Sequence, residues 1–286
     1  MSYNAWLYVE GNPANNADPA GKCYDENADG ICDHYPNYID VENFNEKISP
    51  AGISFIPAYR NIHANIFDSR GNRVSPGTNQ SQFKVGGFTH YDGLCGNISV
   101  AAILTLTYPQ IDAGEVVEQA ERFQNGANWL WAQEIAALFN VDYGDYWKAE
   151  SGSITHWIPR KESEPLGLSY WKSDDNRSFW NKQIETWISS GNQFVFALVQ
   201  ANGSEGRLYN TRRGANHWVV ITGISNPFYK EKNWASSKNW VRIYNPFDNQ
   251  TEYYPWSYFR ASWEWENTMI LVEQTSSPPP LNKCGR

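Results

Sequence analysis

Apolar and polar positions follow two periods along the chain, a helical one between residues 97 and 190 and a strand-like one from residue 193 onward. Residues 97–108 are apolar over most of a helical surface, which predicts a buried central helix that ends before Pro109. Further helices are predicted over 113–124, 128–139 and 175–190. The middle of the chain therefore supplies mainly helices.

The last third of the chain carries β-branched and aromatic runs that are separated by turn residues. These runs predict strands over 193–199, 217–224, 239–244 and 268–273. Shorter extended segments are expected over 52–58 and 61–67. Helices followed by strands favour an α+β fold with a mostly antiparallel sheet.

Composition and charge narrow the classes of function. A chain of 286 residues that is 41% hydrophobic can bury a full core. Its net charge of −8 is spread without long runs of one sign, which argues against nucleic acids and anionic membranes as partners. No run of 18 apolar residues is present, so no membrane span is predicted. The 14 Trp and 17 Tyr against 2 Met favour an extracellular or cell-surface protein.

The chain divides into three parts by composition. Residues 1–80 are rich in Asn, Asp, Gly and Pro and are expected to form a loop-rich N-terminal region. Residues 81–275 carry the periodic segments and the candidate chemistry, and 276–286 form a Pro-rich tail.

Residues 25–33 have the spacing of a calcium loop. Oxygen ligands would come from positions 1, 3, 5, 7 and 9, which are Asp25, Asn27, Asp29, the carbonyl of Ile31, and Asp33. Gly30 allows the sharp turn, but position 12 is Pro36 instead of Glu, so the segment resembles the shorter loops of dockerin or thrombospondin type 3 repeats. Asn37 or Asp40 would supply the remaining ligand. The alternative is an Asp- and Asn-rich surface turn.

Cysteine usage fits an oxidising, extracellular setting that contains calcium. If Cys95 stays a free thiol, three of the four cysteines remain, so at most one disulfide forms. Cys23 and Cys32 are the most local pair and would close the calcium loop, whereas Cys284 lies in the tail.

Cys95 lies where a loop meets the first turn of the apolar helix. A helix N-terminus carries partial positive charge and unpaired N–H groups, which lower the pKa of a thiol and can bind an oxyanion. The alternative is a buried structural cysteine. Two later segments favour the nucleophile. His217 opens the strongest strand, and Asn245 ends the next one.

A base at a strand terminus can reach a thiol at a helix start, and it needs an acceptor on its second nitrogen to fix its tautomer. Asn245 can accept through its amide oxygen, and Asp248 is a rival for the same role. Taken alone, a histidine at a strand edge is more often a structural residue, and Asn-Pro is more often an ordinary turn.

Together the three segments resemble the papain-like cysteine peptidases, most closely the C39-like branch. The matching features are a Cys-Gly pair at the helix start, a His that begins a strand with a Val-Val-x-x-Gly pattern, and an Asn-Pro that ends the next strand. Many C39-like enzymes place Asp where this chain has Asn245, which is closer to papain. The resemblance covers residues 84–273. It implies a central helix packed on a mostly antiparallel sheet, with Cys95 as nucleophile, His217 as base, Asn245 as the residue that orients it, and a thioester intermediate.

The oxyanion donor departs from that family pattern. The family places a Gln about six residues before the Cys, where this chain has Thr89. Gln82, Lys84 and His90 are the alternatives, beside the backbone N–H of Cys95. A Lys at a similar distance occurs in the streptococcal immunoglobulin-degrading cysteine endopeptidases, whose Cys-Gly, Asn-His and strand-end Asp segments this chain also resembles.

The sequence thus predicts a secreted cysteine peptidase that acts on protein or peptide substrates. A peptidoglycan amidase or acyl transferase would use the same triad and the same thioester. A catalytically silent, calcium-dependent surface binding module is the remaining alternative. Several tryptophans either line a substrate or sugar groove or pack in the core. They are Trp129, Trp131, Trp234, Trp240, Trp256, Trp263 and Trp265.

Overall fold

A computed structural model describes residues 44–58, 62–68, 70–79, 84–85, 93–123, 129–157, 169–171, 188, 191–202, 206–208, 215–226, 239–263 and 268–275. The strands within these ranges are β1 (Ser54–Ile56), β2 (Trp147–Trp157), β3 (Ser169–Trp171), β4 (Gln193–Ala201), β5 (Ala215–Asn226), β6 (Trp240–Asn245), β7 (Gln250–Pro255) and β8 (Thr268–Gln274). They form one sheet in the order β3-β2-β8-β4-β5-β6-β7, and β1 pairs with β5. All these pairings are antiparallel except that of β2 with β3.

The helices of the described ranges are α1 (Cys95–Leu104), α2 (Ala113–Ala120), α3 (Ala132–Ala137) and α4 (Trp256–Trp263). The chain continues from α3 as a π-helical turn, Leu138–Asp142. Together with the mostly antiparallel sheet, these helices confirm the expected α+β class. The predicted helix over 175–190 lies outside the described residues except for residue 188.

Helix α1 begins two residues earlier and ends four residues earlier than the pattern predicted. Every residue after Cys95 in it is buried, as a central helix requires. Beyond Leu104 the backbone tightens to hydrogen bonds over three residues, from the N–H of Leu106 to Ile103 and from the N–H of Thr107 to Leu104. The helix therefore ends through its own last turn, ahead of Pro109.

The sheet is covered on both faces. On β4, Phe194, Phe196 and Leu198 join the core that contains α1, α2 and α3. The alternate positions of the same strand, Val195 and Val199 among them, face the core that contains α4. Burial on both faces explains why the central strands are nearly continuous apolar runs.

The described residues of the segment before helix α1, 44–58, 62–68 and 70–79, are built into this fold. Strand β1 pairs with the end of β5, and Ile62, Ala64 and Ile66 belong to the core on the α1 side. The backbone of Ala64 exchanges two hydrogen bonds with the Asn249 side chain, at 2.8 and 3.0 Å. Part of the loop-rich region expected over 1–80 thus supports the sheet. Across the described ranges, no helix has both the length and the apolar character needed to cross a membrane.

Gly223, in the Val-Val-x-x-Gly pattern, packs against a buried arginine. A Cβ at this position would lie 2.7 Å from Nη2 and 2.9 Å from Cζ of Arg242. The Arg242 guanidinium is fixed there because it donates to the carbonyl oxygens of Thr222 at 2.8 Å and Pro57 at 3.0 Å. The pattern therefore reflects space for a guanidinium in the sheet.

Gly223→Ala is expected to lower the free energy of unfolding by about 2 kcal/mol, because the new methyl group overpacks the sheet and displaces donors of a buried charge. Urea unfolding measures the change. A loss below about 0.5 kcal/mol, the range of neutral surface substitutions, would show that Arg242 moves aside freely.

Candidate active site

The thiol of Cys95 lies at the junction of helix α1 and strand β5. Cys95 is the first residue of α1, and its side chain is partly buried. The backbone N–H of Trp218 donates a hydrogen bond to Sγ, with N and S 3.4 Å apart. Because Trp218 follows His217 directly, this bond holds the thiol beside the backbone of the predicted base.

The environment of Cys95 acts on its pKa in two directions. Burial raises the pKa of the thiol, and the backbone N–H groups of Trp218, Gly96 and Cys95 itself lower it because they stabilise the thiolate. Burial is the larger effect, so the pKa lies above its ordinary value. A thiolate at neutral pH therefore needs a base to take the proton.

His217 and Asn245 form a buried hydrogen bond. Nε2 of His217 and Oδ1 of Asn245 are 2.8 Å apart. His217 is the third residue of β5, which begins two residues earlier than the sequence predicted, and Asn245 is the last residue of β6. Both side chains are therefore held by the sheet. The structure thus brings the two predicted residues together.

The contacts of the Asn245 amide fix the tautomer of His217. Its Nδ2 donates to the carbonyl oxygen of Gly206 and to Oε2 of Glu252, both at 2.9 Å. The N–H of Phe247 donates to its Oδ1 at 3.0 Å. Since Oδ1 is the acceptor that faces the ring, Nε2 carries the proton. Nδ1 is then the nitrogen that can accept a proton from a thiol.

Asp248, the rival for the role of orienting the base, is engaged elsewhere. Its carboxylate forms an ion pair with Lys47 and accepts from Nε2 of Gln250 at 3.2 Å. Of the two candidates, Asn245 is therefore the one that contacts His217.

Phe247 and Gly206 cover the pair formed by His217 and Asn245. The rings of His217 and Phe247 meet edge to face, with centroids 6.5 Å apart. Gly206 lies on the Phe247 ring, so that a Cβ there would be 2.6 Å from Cδ1 and closer still to Cβ and Cγ. This cover excludes water from the hydrogen bond between Asn245 and His217, which strengthens it.

Two exposed tryptophans lie next to the start of helix α1. The indole N–H of Trp218 donates to the carbonyl oxygen of Leu130 at 2.8 Å, and Gly93 packs against Trp129. Leu130 is buried, while Trp129 and Trp131 are 52% and 55% exposed. The two exposed tryptophans thus flank a buried residue that packs at the helix start, whereas Trp256 and Trp263 pack in the core and Trp234 and Trp265 lie outside the described residues.

Of the three side chains that were predicted to bind the oxyanion, Lys84 is the one that lies among the described residues. Gln82 and His90 lie outside the described residues, and Lys84 is exposed beside buried Val85. The backbone N–H groups of Cys95 and Gly96 lie at the helix start, where an oxyanion formed on a substrate would meet them.

Glu252 is the site component that sequence reasoning missed. Its carboxyl is buried and accepts from Asn245 and from the Tyr254 hydroxyl, both at 2.9 Å. Its one signal in the sequence, a single charged residue beside two tyrosines in the run Gln250–Pro255, does not reveal its partners. Gly206 and Phe247 carried no such signal, because their roles depend on contacts distant in sequence.

The calcium prediction stays untested, since its ligands Asp25, Asn27, Asp29, Ile31 and Asp33 lie outside the described residues, as do Cys23, Cys32 and Cys284. Within the ranges that are described, no group of three or more His, Cys, Asp or Glu side chains could hold a metal ion. Comparison of the sequence with protein-family models and with curated proteins finds no match.

Proposed function

We propose that the protein is a secreted cysteine peptidase with a papain-like arrangement of helix and sheet. The observation that carries the proposal is the buried hydrogen bond of 2.8 Å between His217 and Asn245. Trp218, the residue after His217, donates its backbone N–H to the sulfur of Cys95. A base held in one tautomer beside a helix-start thiol is the arrangement that activates a sulfur nucleophile.

The reaction follows from the roles of these groups. His217 Nδ1 takes the thiol proton of Cys95, and Sγ attacks the carbonyl carbon of the scissile amide. The tetrahedral oxyanion binds backbone N–H groups at the start of α1. His217 then gives the proton to the leaving amine nitrogen, the C–N bond breaks, and a thioester remains. Water, deprotonated by His217, attacks the thioester and releases the carboxylic acid and the free thiol.

The exposed tryptophans support a peptide as the substrate. Trp129 and Trp131 flank Leu130, which packs against Gly96 at the helix start, and their exposed rings offer apolar surface to the side chains of an extended chain. The proposed setting is extracellular or at the cell surface, with calcium held by residues 25–33.

Thiol labelling tests the nucleophile. Iodoacetamide near pH 7 is expected to modify Cys95 faster than any other free thiol of the chain, as mapped by mass spectrometry of proteolytic fragments. Hydrolysis of a casein-derived peptide mixture should fall in proportion to Cys95 labelling. Cys95→Ala should lose hydrolysis by about 1,000-fold or more, since the covalent route is removed.

The same preparations separate the alternatives. Hydrolysis that persists in Cys95→Ala would exclude the proposed nucleophile. Release of products from cell-wall fragments but not from peptides would assign an amidase, and labelling without turnover of either substrate would favour a binding module.

A further inference from the structure

Glu252 is a buried carboxyl in the middle of strand β7. It is 2% exposed, and its Oε2 accepts two hydrogen bonds, from Asn245 Nδ2 and from the Tyr254 hydroxyl. Withdrawal of a carboxyl from water is costly. No step of the proposed reaction uses this group directly, so its place needs another explanation.

The position of Glu252 links it to the base. Glu252 contacts the amide nitrogen end of Asn245, and the amide oxygen end contacts Nε2 of His217. The carbonyl of Gly206 also accepts at the nitrogen end, and it is held there because the Gly206 N–H donates to Asn202 at 2.7 Å. Two acceptors thus define one end of the amide.

Reversal of the Asn245 amide would be unfavourable for this reason. Its oxygen would then face two acceptors, Glu252 Oε2 and the Gly206 carbonyl, and its NH₂ group would face His217. An Nε2–H on His217 would lose its acceptor, and buried polar groups without partners are costly.

We propose that Glu252 is a positioning residue, which holds the Asn245 amide with its oxygen toward His217 and so keeps the histidine tautomer in which Nδ1 is the base. This inference rests on the proposed function and deepens it. Glu252 acts through Asn245 and does not touch the reacting atoms.

The charge state of Glu252 does not change this role. Burial, with a smaller contribution from the charge of Asp248, raises the pKa of the Glu252 carboxyl to about 7. Hydrogen bonds from Asn245 and Tyr254 and the positive charge of Lys47 lower this pKa, but by less. Glu46 adds negative charge close to Tyr254. A protonated carboxyl with its hydrogen on Oε1 still offers Oε2 as an acceptor. An acceptor oxygen is what the position requires.

The variants Glu252→Gln and Glu252→Met separate the charge of the side chain from its acceptor oxygen. The first keeps an acceptor oxygen without the charge, and the second keeps the length without any acceptor. Two-bond ¹H–¹⁵N spectra of His217 are expected to show the Nε2–H tautomer in the native protein and in E252Q at pH 8. E252M should show a mixture of the two tautomers.

Alkylation of Cys95 by iodoacetamide gives the functional reading. E252Q is expected to react within about threefold of the native rate, whereas E252M should be slower by about tenfold or more, the size of effect found when the partner that orients a histidine is removed. A folded E252M that keeps both the native tautomer and the native rate overturns the proposal. So does E252Q with the tautomer mixture.

If E252M does not fold, the native protein decides. The ¹⁵N shift of Asn245 Nδ2 should move as Glu252 titrates near neutral pH, and that movement should be absent in E252Q. A shift that behaves identically in both proteins overturns the contact. The tautomer readout needs no turnover, so an absence of peptide hydrolysis would reject the proposed function and leave the positioning role standing.

Discussion

Replacement of His217 by alanine is expected to reduce kcat/KM for peptide hydrolysis by about 1,000-fold. Burial raises the pKa of the Cys95 thiol, so without the base little thiolate forms at neutral pH. The same substitution removes the proton donor for the leaving amine, so both halves of the reaction suffer. Initial rates on a chromogenic peptide, with circular dichroism to verify folding, give the measurement.

His63→Ala is the matched control for this substitution. His63 contacts Arg73, with Nε2 and Nη2 2.5 Å apart, and its removal should leave hydrolysis within about threefold of the native rate. If H217A retained more than a tenth of the native activity, His217 would not be the base, and another proton acceptor near Cys95 would have to be sought.

Gly206→Ala is expected to lower the free energy of unfolding by about 3 kcal/mol, through backbone strain and a steric clash together. Gly206 has a φ of 67°, which costs an L-residue about 1–2 kcal/mol. In addition, the new methyl group would collide with the Phe247 ring, and overpacking of this kind costs about 1–3 kcal/mol. Urea unfolding followed by tryptophan fluorescence measures the sum.

Gly71→Ala separates the two causes. Gly71 has a φ of 79°, but a Cβ there would meet no atom within 4 Å, so its variant should lose only the backbone strain of about 1 kcal/mol. G206A should also slow alkylation of Cys95, because its carbonyl accepts from Asn245. Equal losses of stability in the two variants would mean that Phe247 yields to the methyl group.

The elements that sequence reasoning located were those whose own residues decide the structure. The run after Cys95 is apolar on almost every side, and the run after His217 is rich in β-branched residues, so each is buried whatever it packs against. The structure has them as the helix α1 and the strand β5. Strand β2 (Trp147–Trp157) was missed because its sequence holds Lys, Glu, Gly and Ser, and its pairing with β8 holds it in the sheet. Tertiary contacts override weak local propensity there.

Some residues of the candidate site could be predicted from the sequence and others could not. Residue type and a predicted place at the end of a helix or strand were enough to propose Cys95, His217 and Asn245. The sequence left Asn245 and Asp248 open as partners of the base, because the difference depends on Lys47, which is 201 residues from Asp248 in the chain. Glu252 was out of reach for a related reason. Its role exists only through the side chain that ends the neighbouring strand.

Strand β7 ends the order of the described sheet strands, and the segment before β1 lies against it. The N–H of Tyr253 donates to the carbonyl oxygen of Glu46 at 2.7 Å, and Lys47 pairs with Asp248 in the turn before β7. An open strand edge is a template for pairing with a second molecule and so for aggregation. The short stretch around Glu46 therefore reduces the risk of aggregation at this edge, because it occupies a backbone donor that another chain would otherwise bind.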